Sequence, residues 1–146
     1  MRKKHLLYIT ALSVILSVTL IGSALISHAA PKPASVTFQP NTFTWGQAPP
    51  DLWKATIKVS WYTFLIDKSS ILLEGVLKPV KTENKWSAFY AYFTGSEVVK
   101  LIEKKLPHEE PGTFVVPLTI TGKIYWIGTF SGTGTITVTV SAIPQP

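Results

Sequence analysis

Two adjacent serines, Ser69 and Ser70, stand in the stretch IDKSSILLEG just ahead of an apolar run, and a hydroxyl at a strand end has the makings of a nucleophile. Hydrolytic serine chemistry needs a base within hydrogen-bond reach. Beyond the first 30 residues the chain holds one histidine, His108, and no GxSxG elbow surrounds the serines. The pair therefore reads as turn residues, with Asp67 hydrogen-bonding its own backbone in front of them. His108-Glu109-Glu110 carries metal-ligating residue types, but neighbours in sequence rarely face one ion and no second histidine lies at ligand spacing. It reads as a polar loop. Calcium needs carboxylates alternating along one loop, and no DxDxD run is present.

A glycosidase would need two convergent carboxylates. Asp51, Asp67, Glu74, Glu83, Glu97 and Glu103 are available, and nothing singles out a pair. The expectation is a non-enzymatic chain without catalytic, cofactor or metal site. Aromatic residues are the remaining candidates for chemistry, because flat rings stack on sugars or fill partner pockets. Trp45, Trp53, Trp86, Tyr90, Tyr92, Tyr125 and Trp126 exceed what a small core requires. Core packing is the first explanation for them, since both faces of a sandwich strand can consume rings. Ligand binding is the second, with Trp126, Tyr125, Trp86 and Trp53 as the candidate residues. Tyr125-Trp126 is the sharpest case, because adjacent strand residues point to opposite faces and one ring should lie outside the core.

The elements that would position these rings begin after a targeting segment. Arg2-Lys3-Lys4 is a basic head, Leu6 to Ile26 is apolar and uncharged, and Ser27-His28-Ala29 offers a small-x-small cleavage site. Residues 1–29 are expected to be a signal peptide cut after Ala29. The alternative is an uncleaved transmembrane anchor over residues 6–26, since about 20 apolar residues span a bilayer. Both readings place the remainder at the cell surface or outside the cell. Three of the 14 basic residues lie in the head, and the other 11, all lysines, are scattered against eight acids. That balance excludes nucleic acid as a bulk electrostatic partner. Cysteine is absent, so stability must come from packing alone.

Residues 30–35, APKPAS, form a Pro-rich linker, and residues 36–143 form the expected domain. Val36 to Gln39 is a short strand, and Gly46 to Asp51 is a turn. KATIKVSWYTF, residues 54–64, alternates as a half-buried strand with Ile57, Val59 and Trp61 on one face. Ile71-Leu72-Leu73 enters the core, and Trp86 to Thr94 is a further strand. Thr94-Gly95-Ser96-Glu97 has capping-box spacing ahead of Val98, Val99, Leu101, Ile102 and Leu106, which recur at helical intervals. Phe114 to Thr121 is a strand whose Pro117 belongs at an edge or bulge. SGTG, residues 131–134, is expected to turn the chain into TITVTVSA, with Ile136, Val138 and Val140 inward. The sum is an all-β sandwich of about seven strands with one short inserted helix.

Pro40 to Phe43, Ala55-Thr56-Ile57, Ile66-Asp67 with Ser69 to Gly75, Glu97 to Ile102, Val116 to Lys123, and Gly128 to Gly132 with Thr135 to Val138 follow one another in this order. The ordered set resembles an immunoglobulin-like β-sandwich module that recurs in archaeal and bacterial surface and secreted proteins, often beside dockerin or other immunoglobulin-like modules. The resemblance implies no catalytic residues. Where such modules commonly carry an acidic Asp/Gly-rich loop, this chain has KPVKTENKW, which removes the implied calcium site. The expectation is an exported, non-catalytic cell-surface protein acting through protein interaction, adhesion or self-assembly. Strand addition at free edges or at TITVTV is the expected mode. The alternative is a carbohydrate-binding module that uses its exposed aromatics on surface polysaccharide.

Overall fold

Period-two alternation of apolar and polar residues builds the two sheets of this chain. A computed structural model describes residues 29–107 and 110–142. The apolar segment 6–26, the cleavage site up to His28, and the His108-Glu109 pair lie outside the described residues. Among the described residues no helix is long and apolar enough to cross a membrane. The strands are β1 (Lys32–Pro33), β2 (Ser35–Gln39), β3 (Thr42–Thr44), β4 (Leu52–Lys58), β5 (Leu72–Leu73), β6 (Lys81–Asn84), β7 (Phe89–Thr94), β8 (Gly112–Ile124) and β9 (Gly128–Val140), with helix α1 (Gly95–Glu103) between β7 and β8. One sheet has the order β1-β9-β8-β5, with β3 also on β9, and the other β2-β4-β7-β6.

The two sheets enclose an apolar core. Val36 and Phe38 of β2, Ala55 and Ile57 of β4, and Phe89, Ala91 and Phe93 of β7 face Val116, Leu118 and Ile120 of β8 and Phe130, Ile136 and Val138 of β9. Helix α1 closes one end with Val98, Leu101 and Ile102 buried. Thr94 is its N-cap residue by backbone geometry but makes no side-chain capping bond, so the helix is held by its apolar face and not by the capping box. Lys100 pairs with Glu97 at 2.8 Å on its surface.

Nine strand segments among the described residues replace the expected seven or so, because the incoming chain is divided between the sheets. Lys32 and Pro33 pair in parallel with Phe130 and Ser131. The supposed linker therefore already belongs to the sandwich. β2 then crosses to pair with β4, and β3 returns to lie parallel to Thr137–Thr139. TITVTV is accordingly an interior strand, flanked by β8 and β3, and not a free edge. The expected turn at SGTG is absent as well. β8 and β9 form one 13-residue hairpin pairing from Ile124↔Gly128 to Gly112↔Val140, and its turn is Tyr125-Trp126-Ile127.

Gly132 and Gly134 occupy core-facing positions in β9 because β2 passes directly over them. A Cβ on Gly132 would collide with the Ala34 carbonyl, and one on Gly134 would lie 2.7 Å from the Val36 carbonyl and from the Phe38 ring. Glycine inside a strand marks such a close backbone approach.

Pro117 lies where β8 has no second strand, as its missing N–H requires. Its carbonyl accepts a 2.7 Å hydrogen bond from Lys105 Nζ. Lys105 in turn pairs with Glu74 at 2.9 Å, and Glu74 accepts the Thr119 N–H at 2.6 Å.

Candidate functional site

The strand expected over residues 54–64 stops at Lys58. Ser60 adopts φ 47°, and residues Ser60–Leu65 coil into a 3₁₀ helix. Thr63 clamps this coil, since its hydroxyl accepts the Val59 N–H at 2.8 Å and donates to the Ser60 carbonyl at 3.2 Å. Trp61, expected inside, is therefore outside and 64% exposed. The coil is fastened to the β8–β9 hairpin by Ile66 bridging Ile124 and by the Tyr125 N–H donating to the Leu65 carbonyl at 3.0 Å.

Asn84, at the end of β6, ties the same coil to the β6–β7 turn. Its amide donates to the Phe64 carbonyl at 3.0 Å while its Oδ1 accepts the Trp86 N–H at 3.1 Å. The Phe64 and Trp86 rings consequently stack, with centroids 4.7 Å apart and planes 11° from parallel. Trp86 is not in the strand expected over residues 86–94. It sits in the turn before β7 and is 74% exposed.

Trp126 occupies the tip of the β8–β9 turn, 93% exposed, beside Tyr125, which is 49% exposed. These two rings are 6.0 Å apart. Among the described residues, every large exposed aromatic side chain, Trp61, Trp86, Tyr125 and Trp126, belongs to this one end of the sandwich. Two of them hold left-handed backbone, Trp86 at φ 60° and Trp126 at φ 59°. A bulky residue there is a genuine outlier, and such backbone strain concentrates at functional positions.

A cleft of about 420 Å³ opens within this end, lined by Phe64, Ile66, Phe89 and Tyr125 and by the polar Lys68, Thr82 and Asn84. A second hollow of about 530 Å³ lies between the turn after β5 and α1, around Val76, Leu77, Leu101 and Lys104. No aromatic ring lines it, and long charged side chains form much of its wall. The aromatic end is the better site.

The four residues proposed from sequence thus separate. Trp126, Tyr125 and Trp86 come together at one end, whereas Trp53 is a core residue with no exposed surface. Its indole N–H donates to the Pro40 carbonyl at 2.6 Å and its ring meets Phe43 edge-on at 5.6 Å, so it cannot contact a ligand. Trp45 is half-buried against Phe43. Tyr90 and Tyr92 are covered by the ammonium groups of Lys54 and Lys81, 4.7 and 5.1 Å from the ring centres. Trp61 and Phe64 join the site unexpectedly, and Ser60 and Thr63, hydroxyl residues able to bond local backbone, were the available signal.

Ser69 and Ser70 build the turn expected of them. Asp67 Oδ1 accepts both the Ser69 N–H at 3.0 Å and the Ser69 hydroxyl at 2.7 Å, and Ser70 Oγ donates to the Asp67 carbonyl and accepts the Lys123 N–H, each at 2.7 Å. The Ser69 hydroxyl is the main cause that holds the Asp67 carboxyl below its ordinary value. The neighbouring Asp67 carboxylate in turn pushes the Tyr125 hydroxyl above its ordinary 10.0.

The signs give a pH window. The depressed carboxyl supports the folded state above its ordinary 3.8, and that support is lost as pH falls through the lower folded value. The raised tyrosine supports it below 10.0, and that support is lost as pH rises through the higher folded value. Asp67→Asn should therefore move one tyrosine of the spectrophotometric titration to lower pH; an unchanged titration would remove Asp67 as the cause.

Compared with known proteins, the chain matches no protein-family model, no curated protein and no solved structure.

Proposed function

We propose that this chain is an exported, cell-surface-associated, non-catalytic β-sandwich that works by binding through its aromatic end. The observation that carries the reading is the gathering of Trp61, Trp86, Tyr125 and Trp126 at one end, two of them on strained backbone. Export rests on the basic head and apolar segment of the sequence, and the immunoglobulin-like reading rests on the ordered motifs and the two packed sheets. Binding by rings replaces strand addition at TITVTV, whose Thr137–Thr139 segment is already paired on both sides.

Left-handed backbone costs an ordinary residue roughly 1–2 kcal/mol, a cost that asparagine or glycine largely avoids. Trp126→Asn is therefore expected to stabilise the domain by about 1 kcal/mol. Trp86→Asn should be nearly neutral, because it also gives up a ring stack worth about 0.5–1.5 kcal/mol. Hydroxyl-radical footprinting of the full chain then tests the function. Trp86 and Trp126 should react readily in purified protein and be protected in the intact cell envelope. Equal reactivity in both settings would sink the reading.

A further inference from the structure

The chain enters the sandwich at its aromatic end. β1 runs parallel to β9 with Lys32 beside Phe130, and Pro31 lines a hollow with Thr129, Phe130 and Lys123. Pro31 is thus a few residues from the Tyr125-Trp126 turn. We propose that the surface bound by this end is the lipid–water interface of the membrane from which the chain emerges, with Trp126, Trp86, Trp61 and Tyr125 seated among the headgroups. This rests on the reading of the aromatic end as the binding surface and on the alternative reading of residues 6–26 as an uncleaved transmembrane anchor.

Three observations favour lipid. The first is reach: five steps from Ile26 to Pro31 extend at most ~18 Å, whereas the 13-residue β9 is ~44 Å long. The end of the domain at which the chain enters, beside Pro31, is the end that carries the rings, and not the end closed by α1. The second is residue type, because tryptophan and tyrosine concentrate at the membrane interface, where one side of the ring is apolar and the other wet. The third is charge. Lys32, Lys58, Lys68 and Lys123 are exposed around the rings, and none of them is in an ion pair among the described residues. Of the acids there, Asp67 is engaged by Ser69 and Glu83 by Lys81 and Lys85. Lysines at this level attract anionic headgroups.

The test uses the full chain in vesicles of phosphatidylcholine and phosphatidylglycerol whose acyl chains are brominated near the headgroup. Residues 1–30 contain no tryptophan, so the apolar segment contributes nothing to the emission. Part of the tryptophan emission should be quenched by the brominated lipid, and the variant carrying Trp86→Asn with Trp126→Asn should lose most of that quenching. Both replacements suit their backbone, so a folded variant is expected, and near-ultraviolet dichroism checks it. Equal quenching of parent and variant, or none in either, would overturn the proposal. If the two rings are protected in the cell envelope yet unquenched by lipid, the membrane proposal falls while the aromatic end stands as a binding surface, with soluble envelope polysaccharide the next probe. If they are unprotected in the envelope, both readings fall.

Discussion

Trp53→Ala is expected to destabilise the domain by about 3–5 kcal/mol, the range for deleting a large buried aromatic side chain. Trp53 has no exposed surface, lies between Phe43 and the paired strand β7, and spends its one polar atom on the Pro40 carbonyl. The loss is a large share of the 5–15 kcal/mol that holds a typical domain together, and without disulfides nothing covalent limits the damage. Trp53→Phe separates the two contributions. It keeps an aromatic ring but leaves the Pro40 carbonyl without its donor, a change expected to cost about 1–3 kcal/mol. Denaturant titrations of both variants measure this, and a loss under about 1 kcal/mol for Trp53→Ala would show that the core around β4 collapses onto the gap.

Gly132→Ala is the second large effect. The added carbon meets the Ala34 carbonyl and comes within 2.8 Å of the Ala34 and Val36 side chains. A flexible side chain can swing away from such a contact, but a carbonyl moves only if β1 and β2 move with it. Overpacking costs about 1–3 kcal/mol where side chains can adjust, and Gly132→Ala is expected at or above the top of that range. Thr135→Ala on the outer face of the same strand is the control, expected to change stability by no more than about 0.5 kcal/mol. Comparable melting of the two variants would contradict the close crossing of β2 over β9.

These two residues also show where the sequence was readable. Alternation from Lys54 to Lys58, within the strand expected over residues 54–64, and in Thr135–Val140 identified strands with the correct inward faces, and the helical spacing of Val98, Leu101 and Ile102 identified α1. Gly132 and Gly134 misled, because SGTG has turn composition whether the glycines relieve a bend or make room for a neighbouring strand. Nothing local distinguishes the two; the reason lies in Ala34 and Val36, about a hundred residues away in the chain. Trp61 misled for a related reason: it continues the alternation of Ile57 and Val59, but one left-handed serine and one threonine hydroxyl end the strand before it. At the site, Tyr125, Trp126 and Trp86 were readable as surplus rings. Their meeting with Phe64 depends on Asn84, whose two hydrogen bonds span 20 residues in one direction and two in the other.

The proline, lysine and glutamate that close the margin of β8 have a consequence for life at high concentration. An uncovered strand invites another molecule to add its own, and inward-looking charges or a proline discourage it. Here Pro117 withholds a donor, Lys105 occupies its acceptor, and Glu74 occupies both backbone groups of Thr119. The opposite sheet ends in Lys81-Thr82-Glu83-Asn84, where Lys81 and Glu83 are joined in an ion pair. At these two margins crowded copies of this protein are therefore expected to resist adding strands to one another.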